Sequence, residues 1–477
     1  MEVPNFFMYT EPELDHSWLE RCNGFDALLH STVAEKLAEV GMHRLLANHP
    51  KRVRDPAAAR LFYVPIYEYS SWHLGEAEGC SASDTGPRGS VAEKLRTHRQ
   101  RMRAANETLS ESKAWQRCQG CDHFFISSGT SSPSANIQHR SRAMWSKMSC
   151  AIAGRYKQGA HGGACRVEVP YLANQHHRTA PHTNAYRHTR LGRSDHLRLD
   201  IVRRPSKRTT LLYFSGSFDV CCSGNATRCA VARLSGHASP DVILQPTLRG
   251  AGLGPCTQLA LNLSNGTHRA RLRVADPLAA MVYPFLMHND TAADAHHQEQ
   301  MELNRLTAEE MTRAKFCLVP AGDTFVSSRL YSVVASGCVP VVVSNGFAGA
   351  FFRRVNYSSF VVRVEQREFE AEPLRLVQRL RAMSPHELAQ RQASLARFAR
   401  DVLYDEPGSK VADHFLEEAA ARCLNTQDAW RCQPRNGTAM RGTVTGNTSS
   451  SASRAAAASS IASIRNGTSS SSARVAV

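Results

Sequence analysis

The sequence predicts an α/β protein built on parallel sheets in two domains. Three observations carry that prediction. The chain has 477 residues, against a commonest domain size of about 100–150, so two packed domains are expected. Apolar residues make up 42% and charged residues 21%, ordinary globular usage that excludes a wholly disordered or collagen-like chain. In the second half, continuous apolar runs alternate with stretches of helical spacing, the pattern of parallel strands covered on both faces.

In chain order, Val33 to Leu46 has helical spacing, and a turn at Arg54-Asp55-Pro56 leads into the β-rich run Leu61 to Ile66. Ser90 to Glu111 is charged and helical in propensity; with Arg96, Arg99, Arg101 and Arg103 it is expected to be a solvated face. His123 to Ser127 and Cys165 to Pro170 have strand composition, and the His- and Arg-rich stretch from His176 to His196 suits an interdomain link. Thr209 to Phe214 starts the second domain, giving expected boundaries of 1–205 and 206–433. Strands follow at Lys315 to Pro320, Val339 to Ser344 and Phe360 to Val364, with a helix over Val326 to Ser336. Leu374 to Tyr404 reads as two helices, the second opened by Pro385. Residues 434–477 are Ser, Ala, Thr and Gly with almost no large apolar side chain, so a disordered tail is expected. Leu330 to Phe352 is uncharged and long enough for a bilayer, but Gly337, Pro340 and Asn345 argue for a buried helix and strand.

The chemistry concentrates in Phe316 to Phe352, one strand–loop–helix–turn–strand unit. Its loop runs through Gly322, Asp323 and Thr324 to Ser327, Ser328 and Arg329 at the helix start. Unpaired backbone N–H groups and the positive end of the helix dipole favour an anion there. Hydroxyls donate to phosphate oxygens, a guanidinium grips two oxygens, and glycine lets the backbone approach closely. A diphosphate-bearing ligand at Gly322 to Arg329 is one reading; a helix merely capped by Thr324 and the serines is the other. Neither GxGxxG nor GxxxxGK[ST] occurs, so dinucleotide-binding and NTP-hydrolase fingerprints are absent.

The segment FCLVPAGDT…SSRLYSVVASGCVPVVVSNG resembles the signature of the exostosin family of glycosyltransferases. Other pieces fall in that family's order: Phe7-Met8-Tyr9, Arg54 to Tyr67, Trp115 to Ile126, Val167 to Pro170 and Leu211 to Gly216, over roughly residues 6–405. The resemblance implies a GT-B architecture, two Rossmann-like domains facing across a cleft. The C-terminal domain would hold a nucleoside-diphosphate sugar, and the N-terminal one the acceptor, a glycan or glycoprotein. It further implies inverting transfer and Golgi residence, usually with a membrane anchor, in protein glycosylation or polysaccharide biosynthesis. No Asp-X-Asp clamp is present, so no metal is required by the sequence and no other cofactor is expected. Asp122 and His123, in the matched N-terminal segment, are the candidate general base pair; holding a strand end by hydrogen bonds is their alternative role. The family's paired "FC" and "GC" suggest that Cys317 and Cys338 lie close and are bonded. Ala348 stands where many relatives have Glu, and Phe325 where the family tends to have Pro; a catalytically inactive glycan-binding relative is therefore the rival reading.

Compartment signals are mixed. Sequons at Asn106, Asn225, Asn262, Asn265, Asn289 and Asn356, with fourteen cysteines, lean toward the secretory pathway. Met1 to Leu14 has neither the basic nor the apolar region of a signal peptide, so membrane association is expected only if an anchor lies upstream of this chain. Cys118-X-X-Cys121 suits a disulfide or a thiol pair rather than zinc, and Cys423 with Cys432 is expected to close a loop. The group His288, Asp290, Asp294, His296 and His297 has metal-ligand chemistry but reads as a polar loop. A net charge of +16 suits a polyanion; without a nucleic-acid motif, a diphosphate or acidic glycan near Arg329 and Arg203 to Arg208 is the better fit.

Overall fold

The computed structural model describes residues 2–22, 25, 28, 34–74, 95–127, 151–155, 165–173, 208–217, 224–235, 239–249, 273–275, 306–322 and 324–424. The expected tail and the proposed link at His176 to His196 lie outside them. Among the described residues the strands form two six-stranded parallel sheets, so the α/β class is met.

The first sheet comprises β1 (Phe6–Met8), β2 (Arg52–Val53), β3 (Leu61–Tyr63), β4 (His123–Ile126), β5 (Ile152–Arg155) and β6 (Arg166–Glu168), in the order β2-β1-β3-β4-β5-β6. Alternate side chains divide between its two faces. Phe62, Val64 and Phe125 pack with Met102 and Leu109 of α3 (His98–Glu111) and with Trp115 of α4 (Lys113–Cys118). Tyr63, Phe124 and Ile126 join the opposite core with α1 (Ala38–Ala47). The α3 helix starts with a complete capping box between Thr97 and Gln100. Arg96, Arg99 and Arg103 are exposed as expected of a solvated face, but Arg101 is fully buried and donates to Ser71 Oγ and Ser71 O on α2 (Glu68–Leu74) and to Leu95 O and Arg96 O at 2.7–3.0 Å. Those four acceptors replace the water that burial removes, which charge counting along a sequence cannot reveal.

The second sheet comprises β7 (Thr210–Ser217), β8 (Val242–Arg249), β9 (Arg273–Ala275), β10 (Ala314–Pro320), β11 (Val339–Val343) and β12 (Val362–Val364). Its order is β12-β11-β10-β7-β8-β9. The chain first adds strands on one side of β7, then returns and adds β10 to β12 on the other. The sheet therefore reverses direction between β7 and β10, and ligands of open α/β sheets bind outside the carboxyl ends at such a point. Phe214, Leu318 and Val341 pack on α5 (Asn225–Ser235) and α8 (Pro373–Ala382), while Tyr213, Val319 and Val342 face the core shared with the first sheet. Gly337, at φ 67°, ends α6 (Arg329–Ala335) and turns the chain into β11, a conformation that costs other residues about 1 kcal/mol or more.

After α7 (Gln366–Ala371) and α8, α9 (Pro385–Val402) packs on β11 and α6, and α10 (Val411–Glu418) crosses back to α1 and β6 of the first sheet. Phe415 meets Phe124 at 5.1 Å between ring centroids, and His49 Nε2 lies 3.0 Å from Asp413. Tyr404 donates to Pro170 O at 2.9 Å. Cys423 is bonded to Cys165 beside β6, not to Cys432. The nearer cysteine in sequence loses because the chain after α10 lies against the first sheet.

Candidate active site

The loop after β10 begins by anchoring itself to β11, with Ala321 N donating to Val343 O at 3.0 Å. Gly322 is buried and its N–H donates to Thr324 O at 3.0 Å. Thr324 Oγ1 turns inward to Val326 O at 2.7 Å, so it closes the loop rather than capping α6. Ser328, at the N-cap, makes no side-chain cap bond. The hydroxyls of Ser327 and Ser328, both half-buried, make no hydrogen bond to the described residues and are available to a ligand. Asp323 lies outside the described residues. Cys317 and Cys338 are bonded, tying β10 to the end of α6 behind this loop.

A second helix contributes a group that sequence reading missed. Arg228 of α5 is buried and donates through Nε to Ala321 O at 3.1 Å. Its guanidinium and that of Arg329 both pack on the buried ring of Phe214, at 5.5 and 5.1 Å from the ring centroid. They converge where Gly216 leaves room. A Cβ built on Gly216 would lie 2.6 Å from Arg329 Nη2 and 3.3 Å from Arg228 Nη1, so the two nitrogens are at most about 6 Å apart. Gly224 brings α5 onto the same loop: a Cβ there would meet Ala321 O at 2.2 Å. Both guanidiniums therefore stand at the carboxyl ends of β7 and β10, the reversal point of the sheet. Each guanidinium offers planar paired donors, suited to oxygens of neighbouring phosphates. The only sequence signal for Arg228 was Gly216 at the end of a β-rich run, which marks close approach without saying of what.

Asp122 and His123 are placed elsewhere. His123 is the first residue of β4, so the strand's length, about 13 Å at 3.3 Å per residue, separates Asp122 from the carboxyl edge. Both are buried, with His123 Nδ1 2.7 Å from Asp122 Oδ1 and Nε2 2.9 Å from the Tyr9 hydroxyl. Arg117 donates to the second Asp122 oxygen at 2.7 Å, and the His123 ring stacks on Phe62 at 4.8 Å. Burial lowers the pKa of His123 in spite of Asp122. Burial pushes the Asp122 carboxyl upward, but hydrogen bonds from His123 and Arg117 outweigh it and hold the group below its ordinary value. Burial drives the Tyr9 phenol up to about 12. Each ring nitrogen is committed, so the arrangement fits the alternative role, fastening the amino end of β4.

Two further expectations change. Arg208 is buried at the amino ends of β7 and β10, donating to Met311 O, Ala314 O and Ser336 O, so it does not serve an anion at the carboxyl edge. Cys118 and Cys121 are not joined to one another: Cys121 is in a disulfide, whereas the Cys118 side chain hydrogen-bonds with Arg117 and Asp122. Among the described residues no three His, Cys, Asp or Glu side chains are grouped to hold a metal; His288 to His297 lie outside them.

The profile of the Exostosin GT47 domain matches residues 5–249 and 264–380, a span that takes in strands of both sheets and both arginines. The chain belongs to the exostosin family. Among curated relatives, "Probable arabinosyltransferase ARAD1" of Arabidopsis thaliana is 30% identical over 133 residues, 28% of this chain and 30% of that protein. "Exostosin-1 homolog" of Caenorhabditis elegans is 32% identical over 76 residues, 16% of this chain and 20% of that protein. "Probable beta-1,4-xylosyltransferase IRX10" of Arabidopsis thaliana is 33% identical over 90 residues, 19% and 18% of the two chains. The matched stretches thus span less than a third of each relative. No helix among the described residues is long and apolar enough to cross a membrane.

Proposed function

We propose that this exostosin-family chain is a glycosyltransferase that moves a sugar from a nucleoside-diphosphate donor to a hydroxyl of a glycan or glycoprotein, inverting the anomeric centre. The observation that carries the reading is the convergence of Arg228 and Arg329 on Gly216, at the reversal point of the second sheet. The diphosphate would lie there, with Ser327 and Ser328 donating to its oxygens. In the transfer the acceptor oxygen attacks C1 of the donor sugar while the bond from C1 to the phosphate oxygen breaks. The electron pair passes to the diphosphate, where the two guanidiniums stabilise the developing charge. The acceptor proton needs a base on the first lobe. Glu11, exposed just after β1 where that sheet reverses between β1 and β3, would take that proton. Disulfides such as Cys165–Cys423 and Cys317–Cys338 support work in an oxidising lumen, in keeping with Golgi residence.

The test is release of nucleoside diphosphate from a panel of nucleotide sugars, with and without oligosaccharide acceptors. Pentose donors come first because relatives are named as arabinosyl- and xylosyltransferases. Consumption of one donor, lost in Arg329→Ala, is expected. Binding of glycan without consumption of any donor would favour the inactive relative, a reading that Ala348 keeps in view.

A further inference from the structure

We propose that Phe325 is the platform on which the donor's nucleobase stacks. The inference rests on the diphosphate reading above and adds the group that holds the other end of the nucleotide. Phe325 lies in the same loop as Ser327, Ser328 and Arg329, four residues before the guanidinium. One face of its ring is pinned. A Cβ on Gly346 would lie 2.5–2.8 Å from the ring atoms, so the ring rests on the bare Cα of that glycine. The backbone beneath is fixed by Ser344 Oγ donating to Phe325 O at 2.8 Å and by Thr324 Oγ1 donating to Val326 O. The side chain is nonetheless 47% exposed, one of three large apolar side chains so exposed among the described residues. Of the others, Phe352 has the Arg353 guanidinium 5.7 Å from its ring centroid, and Leu374 lies in the first turn of α8.

A rigidly mounted ring with one face seated and one open is built for a flat partner. The guanidiniums stand on the β7 side of β10, and Phe325 leans on Gly346, just past β11 on the other side. A nucleotide whose phosphates lie at Gly216 and whose base lies at Gly346 follows the carboxyl edge of the sheet. The base is the one aromatic plane in a nucleoside-diphosphate sugar. Stacking is tolerant of base identity, since every base has a π-face, so Phe325 supplies affinity and not the choice of base.

Titration calorimetry of the full chain with uridine diphosphate, adenosine diphosphate and inorganic pyrophosphate tests this. Phe325→Ala is expected to weaken both nucleoside diphosphates by about 5- to 100-fold, leave pyrophosphate within twofold, and be rescued by Phe325→Trp. Unchanged nucleotide affinity overturns the proposal. So does an equal loss for pyrophosphate, which would make Phe325 a shaper of the phosphate loop. If instead Arg329→Ala leaves pyrophosphate binding intact, the diphosphate reading fails, a result distinct from any effect of Phe325.

Discussion

Arg228 and Arg329 come from helices about a hundred residues apart in sequence and meet over a glycine, so Gly216 offers a test that spares both arginines. Gly216→Ala puts a methyl group 2.6 Å from Arg329 Nη2, the far end of a flexible side chain that can swing away. Nucleoside diphosphate affinity should fall at least tenfold while the melting temperature moves by no more than about 2 °C, read by calorimetry and thermal denaturation. Asp122→Asn should do the reverse. Losing a buried, doubly hydrogen-bonded carboxylate should cost about 2–4 kcal/mol of stability, with turnover per folded molecule held within about threefold. A collapse of turnover at unchanged stability would restore Asp122 to catalysis. The loop proposed to hold the diphosphate was legible in sequence because its glycine, serines and arginine lie within eight consecutive residues, Gly322 to Arg329. Arg228 was not, because its partner Ala321 lies in another strand-and-loop unit. For His123 the needed fact was already visible: a strand beginning at that residue places it at the amino end, away from the ligand edge.

At the scale of elements, the C-terminal helices are the part sequence periodicity described without placing. Two helices separated at Pro385, α8 and α9, are found, but nothing in their apolar spacing says that the chain beyond α9 returns to the first sheet through α10. Phe415 against Phe124 and the Cys165–Cys423 bond record that return. The bond joins residues 258 apart, so in a chain-entropy account its removal costs about 5 kcal/mol. The double variant Cys165→Ser/Cys423→Ser should therefore melt well below the parent under non-reducing conditions. An unchanged melting temperature would mean that α10 docks on its apolar face alone. Four strands of the second sheet, by contrast, were read from sequence because a parallel sheet buried on both faces leaves continuous apolar runs such as Val339 to Val343, whereas β8 and β9 were not read.

For the whole molecule, buried titratable groups define a pH window. Burial lowers His16 and His73 to about 3, below their ordinary value near 6.5. Their folded pKa is depressed, so the stability tied to their neutral forms is full above pH 6.5 and is lost toward pH 3. The loss is up to about 1.4 kcal/mol per pH unit for each. Glu39 behaves oppositely: burial raises it to about 8, although Tyr69 N and Ser70 N donate to it. Its contribution is complete below about 4.5 and disappears as the pH rises through 8. With two groups acting on the acid side and one on the alkaline side, the melting temperature should peak near pH 6.5. Glu39→Gln should flatten the fall between pH 6.5 and 8, and an unaltered slope would place that fall elsewhere. The two-sheet architecture was legible from length and apolar patterning, whereas these buried titratable groups were not, since burial is a property of the assembled fold.

The most direct test of the central claim is calorimetric binding of nucleoside diphosphate to the parent chain and to Arg228→Ala and Arg329→Ala. One site is expected on the parent, with affinity at least tenfold weaker in each variant and folding intact by thermal denaturation. Equal affinity in all three proteins would contradict a donor site at the reversal point of the second sheet.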